Sequence, residues 1–437
     1  MGGFGREDLH SAAAALLDMN GPSMSSPRLN QLTSICRRYT CFQFFFNLLL
    51  WVPIFYSVQR KMGLSDPQIF GIQSIYYIVF CALEIPTGFI ADRFGYRFSM
   101  LLGASVLVIA NLLPVVQPNY FGFLLHFLAI ALARSLISGA SSAYMYEYLQ
   151  AQGEGDQYKK VEADARFYSL IGRIAAWTAV GWLMTWQLTA PYWLSAVNAA
   201  VALIIGFTMP TVAAKTDSNT DQSLGAYKKV LSGRLFLLML QGVGIFVMVR
   251  ILQVNLYQPI LTARSFDITT FGWSMSLMTG FEALGSKAAP YLRSKIDDMR
   301  VVTLSTIFLG ASLGLVAAFG QVGTLIGFCC FSFAAGVAFP VQKQLLNDAI
   351  TDSRLRATVL SMESILDRAC CAVAVLPLGS LVAAGRLDDI LWVTGAIAAV
   401  VALGLQRAMW RYARPVPTGA ATAVLIHFTE SEPQQPL

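Results

Sequence analysis

The sequence predicts an all-α protein that crosses a membrane about twelve times, and three observations predict it. Of 437 residues, 56% are hydrophobic and only 13% are charged, a balance that a water-soluble domain of this size does not tolerate. Apolar runs of about 20 residues, the length that crosses a hydrocarbon core roughly 30 Å thick, recur almost end to end. The runs are continuous rather than alternating, so their backbone groups are satisfied in lipid by helices and not by a barrel.

The first run (39–58) follows Arg37 and Arg38 and holds Gln43 and Asn47, four apart, with Pro53 further on. Its Phe-rich stretch "FQFFFNLLLW" is expected to face lipid. The second (68–91) carries Glu84 and Pro86, and the third (98–116) follows a basic connection. The fourth (120–149) has Arg134 near its middle and Tyr144 and Glu147 late; the fifth (165–186) has Arg166 and Arg173. After the sixth (192–209) the polar stretch "TVAAKTDSNTDQSLGAYKK" interrupts the pattern. The seventh (235–261) holds Gln241, Arg250, Gln253, Asn255 and Pro259, and the eighth (270–293) holds Glu282 and Lys287. Beyond the ninth (301–319), the tenth (325–349) has Pro340 and Gln342, the eleventh (357–383) has Glu363, Asp367 and Arg368, and the twelfth (390–409) ends near Arg407. The four prolines are candidate kinks.

The basic residues test this count, because Lys and Arg gather on the cytoplasmic side of alternate loops. With the N-terminus inside, the cytoplasmic connections contain Arg93 and Arg97, Lys159 and Lys160, Lys228 and Lys229, Lys295 and Arg300, and Arg354 and Arg356. The opposite loops hold only Arg60, Lys61, Arg264 and Arg386. One span more or fewer scrambles the alternation. The expected organisation is a cytoplasmic extension (1–35), a six-helix bundle (36–209), a cytoplasmic linker (210–233), a second bundle (234–412) and a cytoplasmic tail (413–437). "SLIGR" at 169–173 and "SILDR" at 364–368 occupy the fifth span of each set, as parallel half-repeats predict.

Ionisable groups inside spans cost several kcal/mol unless paired or wetted, so each is a functional candidate. The acids are Glu84, Glu147, Glu282, Glu363 and Asp367; the bases are Arg134, Arg173, Arg250, Lys287 and Arg368. Both halves contribute, which suits a cavity between them. Glu363 and Asp367 share a helix face, and two such acids repel if both are ionised, so one of them is expected to carry a proton. The structural alternative is that each acid is tied to a base on a neighbouring helix, such as Arg134 or Arg250. Asn47 and Tyr144 are uncharged candidates for substrate contact.

The stretch "EIPTGFIADRFGYRFS" (84–99) resembles the loop signature of the major facilitator superfamily, G-x-x-x-D-R-x-G-R-R. Gly88, Asp92, Arg93, Gly95 and Arg97 stand in register, and Tyr96 replaces one basic residue. The resemblance covers about 36–412. It implies two six-helix bundles related by a pseudo-two-fold axis, and it implies that these five residues form a latch against the start of the eleventh span, where Asp352 or Ser353 is a natural N-cap. That latch closes the cytoplasmic side in the outward-facing state. Arg134 is similar to the family's arginine in the fourth span, associated with proton or substrate coupling.

The resemblance implies a secondary transporter of a small organic molecule in the cytoplasmic (inner) membrane, working by alternating access as a monomer surrounded by lipid. Proton-coupled export of a drug-like compound or metabolite, as in bacterial efflux-type members, is the leading expectation. The alternative is proton-coupled uptake of an organic anion or nutrient, motivated by the buried bases: Arg134, Arg173 and Arg250 would find their countercharge in the substrate. No cofactor, metal or nucleic-acid partner is expected, since the seven cysteines lack ligand spacing and the three histidines are scattered.

Overall fold

The computed structural model describes residues 26–212, 233–350 and 356–413. The polar linker, Asp352, Ser353 and both terminal segments therefore lie largely or wholly outside the described residues. Among the described residues, twelve long helices run in antiparallel succession: α1 (Asn30–Lys61), α2 (Asp66–Phe94), α3 (Tyr96–Val116), α4 (Tyr120–Ala151), α5 (158–186), α6 (Ala190–Phe207), α7 (Leu235–Ala263), α8 (Thr269–Arg293), α9 (Asp298–Ala318), α10 (Gln321–Ala349), α11 (Val359–Ala383) and α12 (Leu387–Met409). Ten are apolar enough to be spans on composition alone; α5 and α8 are long enough but more polar. Those two pack on one another across the bundle interface, and Arg173 and Glu282 turn inward there. The end of the molecule where α1 begins is termed proximal and the opposite end distal.

The first six helices pack mainly among themselves, and so do the last six. Helix packing in lipid relies on small residues that let backbones approach, and the α8–α10 crossing shows how. A Cβ on Gly285 would lie 2.1 Å from the Phe333 carbonyl, and one on Gly336 would lie 2.0 Å from the Glu282 carbonyl. Pro340 has no N–H to offer the Gly336 carbonyl four residues earlier, and the Ser286 hydroxyl donates to it instead at 3.1 Å. Gly336→Ala therefore forces the two helices apart. Overpacking of this kind costs about 1–3 kcal/mol, and the purified variant is expected to unfold at a lower temperature; an unchanged midpoint would refute this reading of the crossing.

Two helices are irregular where they meet the centre of the molecule. α1 is helical to Asn47 and unwinds before the short turn Val52–Ile54 that contains Pro53. Three of the freed backbone groups are met by side chains from other helices: Asn198 donates to Leu48 O (2.9 Å), Trp177 to Leu49 O (2.8 Å), and the Leu50 N–H donates to Ser195 Oγ (2.8 Å). α7 carries a π-helical stretch, Ile251–Leu256, directly after Arg250. Pro259 lies four residues beyond Asn255 and cannot continue the ordinary ladder there, so the bulge has a covalent cause.

The distal ends of the two bundles are locked together. A Cβ on Gly181 (α5) would lie 2.4 Å from Thr269 Cα, and one on Gly272 (α8) would lie 1.9 Å from the Trp177 carbonyl. Ser276 donates to Ile174 O at 2.8 Å, and the wholly buried Gln258 accepts from Ser57 N–H (3.1 Å) and donates to Val52 O (3.3 Å). Among the described residues, every hydrogen bond and ion pair between the bundles lies at or distal to the Glu84–Arg368 level. The Phe-rich start of α1 departs from the sequence expectation: Phe42 and Phe46 are buried, and Phe44 covers Gly172. Packing α1 against α5 and α6 turns much of this run away from lipid.

Candidate functional site

A cavity of about 790 Å³ lies between the bundles, within the usual range for a small-molecule site. Arg134, Arg173, Arg250, Glu282 and Asp367 line it, together with Asn47, Gln43, Lys343 and Arg368. Its walls are aromatic, with Tyr76, Tyr77, Phe127, Trp177 and Phe246 among them. Arg134 stands fourteen residues from the distal end of α4, and Arg173, Arg250 and Glu282 each stand thirteen from the distal ends of α5, α7 and α8. At 1.5 Å per residue these four charges share one level, about 20 Å below the distal surface.

The three arginines have no carboxylate within ion-pair distance among the described residues. The Arg173 guanidinium lies 5.5 Å from the Trp177 ring and that of Arg250 lies 5.1 Å from Phe246, contacts that steady a cation without neutralising it. Arg173 Nε is buried without a partner, and Arg250 lines the cavity. Glu282 accepts from Gln253 at 3.2 Å, and Gln253 also reaches Ser332 Oγ at 3.3 Å. The π-helical stretch places Gln253 on the same wall as Arg250.

The acids of α11 have different surroundings. Glu363 is 2% exposed and pairs with Lys343 Nζ at 2.5 Å, in space left by the missing side chain of Gly242. Asp367, one turn on, lines the cavity, and its buried Oδ1 has no hydrogen-bond partner. Arg368 sits 4.1 Å from the Phe80 ring, bonds to Ser364, and lies 3.7 Å from Glu84 Oε2 on α2. The α5 and α11 repeats thus both bring their arginine to the cavity.

Other candidates sit elsewhere. Tyr144 is fully buried and donates to Pro210 O at 2.9 Å, Glu147 is half-buried, and Lys287 is exposed; none of the three lines the cavity. Lys343 is a lining base that hydropathy does not single out, because it lies near the proximal end of a long span; its place three residues after Pro340 is the available signal. In the loop signature, Gly95 adopts φ +90°, a conformation that requires glycine, at the turn from α2 into α3. Arg97 donates to Phe207 O (2.8 Å), and Arg38 donates to Thr208 O (2.6 Å), so two cations cap the carbonyl end of α6. Gly88 faces open space, and Asp92 and Arg93 are exposed, with no ion pair to α11 among the described residues.

Comparison with known proteins agrees with this architecture. The chain is similar to the multidrug resistance protein MdtL of Klebsiella pneumoniae (strain 342), with 27% identity over 320 residues that cover 70% of this chain and 77% of the relative. Among solved structures it resembles a point mutant of the nucleoside transporter NupG, at TM-score 0.75 and 16% identity over 86% of this chain and 99% of that one. It also resembles a bacterial homologue of the human lysosomal transporter Spinster in an inward-facing and occupied conformation, at TM-score 0.68 and 13% identity over 90% and 100% of the two chains. The sequence profile of the Major Facilitator Superfamily matches residues 39–375, from α1 into α11. Twelve helices in two bundles around one charged cavity, matched by that profile over most of their length, make this chain a member of the Major Facilitator Superfamily.

Proposed function

We propose that the chain is a proton-coupled secondary transporter that exports a small organic molecule across the cytoplasmic membrane by alternating access. The observation that carries the reading is Asp367, a carboxyl with a buried, unpartnered oxygen on the wall of a cavity sealed at one end. Such a group can load and release a proton when the cavity changes sides, which a statically paired acid such as Glu363 cannot do. The charge bias of the loops supports a cytoplasmic proximal end with both termini inside, and so an inward-facing state. Residues 36–209 and 234–412 are the two bodies that rock as a monomer, with 210–233 linking them. Asp92 and Arg93 meet the proximal start of α11 in the opposite state. Export is favoured by the name of the MdtL relatives.

Transport in proteoliposomes tests the proposal, with a panel of drug-like dyes and organic acids and a pH gradient imposed in either direction. The wild type is expected to move substrate against the proton flow. Asp367→Asn is expected to reduce gradient-driven accumulation at least tenfold, about 1.4 kcal/mol, while exchange without a gradient persists. Full accumulation by the variant refutes the proton site, and movement of substrate with the protons refutes export.

A further inference from the structure

We infer that the transported molecule carries an anionic group, a carboxylate or sulfonate on an aromatic body, which Arg134, Arg173 and Arg250 hold at the mid-membrane level of the cavity. The inference rests on the transport reading above and adds the chemical class of its substrate.

Charge balance carries the argument. Like charges brought together in a medium less polar than water repel strongly, and a fold tolerates them only where something supplies countercharge. At the shared level of Arg134, Arg173 and Arg250 stands Glu282, whose hydrogen bond comes from neutral Gln253, and about one turn proximal on α11 stands Asp367. Three cations against two carboxyl groups leave one positive charge uncompensated, and two whenever Asp367 carries its proton. The remaining lining cations do not share this deficit, because Lys343 is paired with Glu363 and Arg368 lies beside Glu84. The uncompensated charge is therefore local to the three arginines.

Donor geometry supports the same conclusion. Each guanidinium offers a planar fork of N–H groups that matches a carboxylate or sulfonate, and bonds of this kind are stronger than neutral ones. Arg173 Nε is buried and lacks an acceptor, so at least one donor of the set has lost water without gaining a partner. Trp177 and Phe246 steady two of the guanidinium groups beside the cavity space, and Tyr76, Tyr77 and Phe127 complete a wall suited to a flat apolar body. A cationic substrate would meet net repulsion here. A neutral one would leave the arginines unmatched.

Binding to the full-length protein in detergent provides the test, using naphthalene-2-carboxylate, naphthalene-2-sulfonate, the isosteric naphthalene-2-carboxamide and a naphthylmethyl-trimethylammonium cation. The two anions are expected to bind at least tenfold more tightly than the carboxamide, and the cation more weakly still. Arg134→Gln and Arg250→Gln are each expected to weaken anion binding at least tenfold, and Arg166→Gln, outside the cavity and paired with Glu162, is expected to leave it unchanged. The comparison among ligands on the wild type stands even if a variant fails to fold. Equal affinity for the carboxamide, preference for the cation, or no anion binding at millimolar concentration overturns the inference. Gradient-driven transport of some other compound without anion binding would sink the substrate class alone. Anion binding without any gradient-driven movement would sink the coupling reading and leave this one standing.

Discussion

Gly272→Leu is expected to drive the protein out of the distally closed state and to reduce transport about tenfold or more. Gly272 has no side chain where α8 crosses α5, and even a Cβ would fall 1.9 Å from the Trp177 carbonyl, a backbone atom that cannot swing aside. Gly181 repeats the arrangement in reverse against Thr269. A leucine here is far larger than the gap, so the closed arrangement loses several kcal/mol while a state with the distal ends apart loses nothing; a shift of about 1.4 kcal/mol already changes the populations tenfold. Single-molecule distances between labels at Gln187→Cys and Ser265→Cys, in a background without the seven native cysteines, report the shift. The expected outcome is a longer mean distance in Gly272→Leu and a smaller increase in Gly272→Ala. An unchanged distance would mean that the glycines are not what permits closure.

The helices were legible because lipid imposes a one-dimensional rule: each crossing needs about 20 apolar residues, and loop charge fixes the count. α5 and α8 were the weakest signals on hydropathy, and part of the reason is functional, since Arg173, Thr279, Glu282 and Ser286 face the cavity rather than lipid. The interruption of α1 after Asn47 was not legible. Pro53 lies beyond it, and the unwound turn survives only because Asn198, Trp177 and Ser195 arrive from other helices to meet its backbone. No local pattern in α1 announces those partners. The π-helical stretch of α7 was half-visible, since Pro259 signals a disturbed ladder but not its form.

The candidate site was legible to the extent that single charges stand out in apolar runs, and Arg134, Arg173, Arg250, Glu282, Asp367 and Arg368 do share a cavity. Pairing was not legible. The sequence offered Arg134 or Arg250 as partners for the α11 acids, whereas Lys343 holds Glu363 and Arg368 lies nearest Glu84. Partner choice depends on helix rotation to within a fraction of a turn, which spacing along one helix does not specify. The loop signature behaved similarly: its glycine at 95 follows from φ +90°, but the bonds from Arg97 to the end of α6 are a tertiary fact.

Lys343→Met is expected to be strongly destabilising, and Glu363→Gln in the same chain is expected to restore most of the loss. Glu363 is buried to 2% and its countercharge is Lys343 at 2.5 Å, so removing the lysine leaves a carboxylate in apolar surroundings. Breaking a buried pair from one side costs about 3–5 kcal/mol, and the lower end applies because the lysine side chain is half-exposed to the cavity. Glu363→Gln removes the stranded charge and keeps the shape beside Gly242, so the double variant retains a neutral, well-filled site. Thermal denaturation of the purified single and double variants measures the coupling directly. Recovery in the double variant assigns Glu363 to holding α10 and α11 together and leaves Asp367 as the acid of α11 open to the cavity. A double variant as unstable as Lys343→Met alone would show that the lysine acts through packing rather than charge, and the division of labour between the two acids would lose its basis.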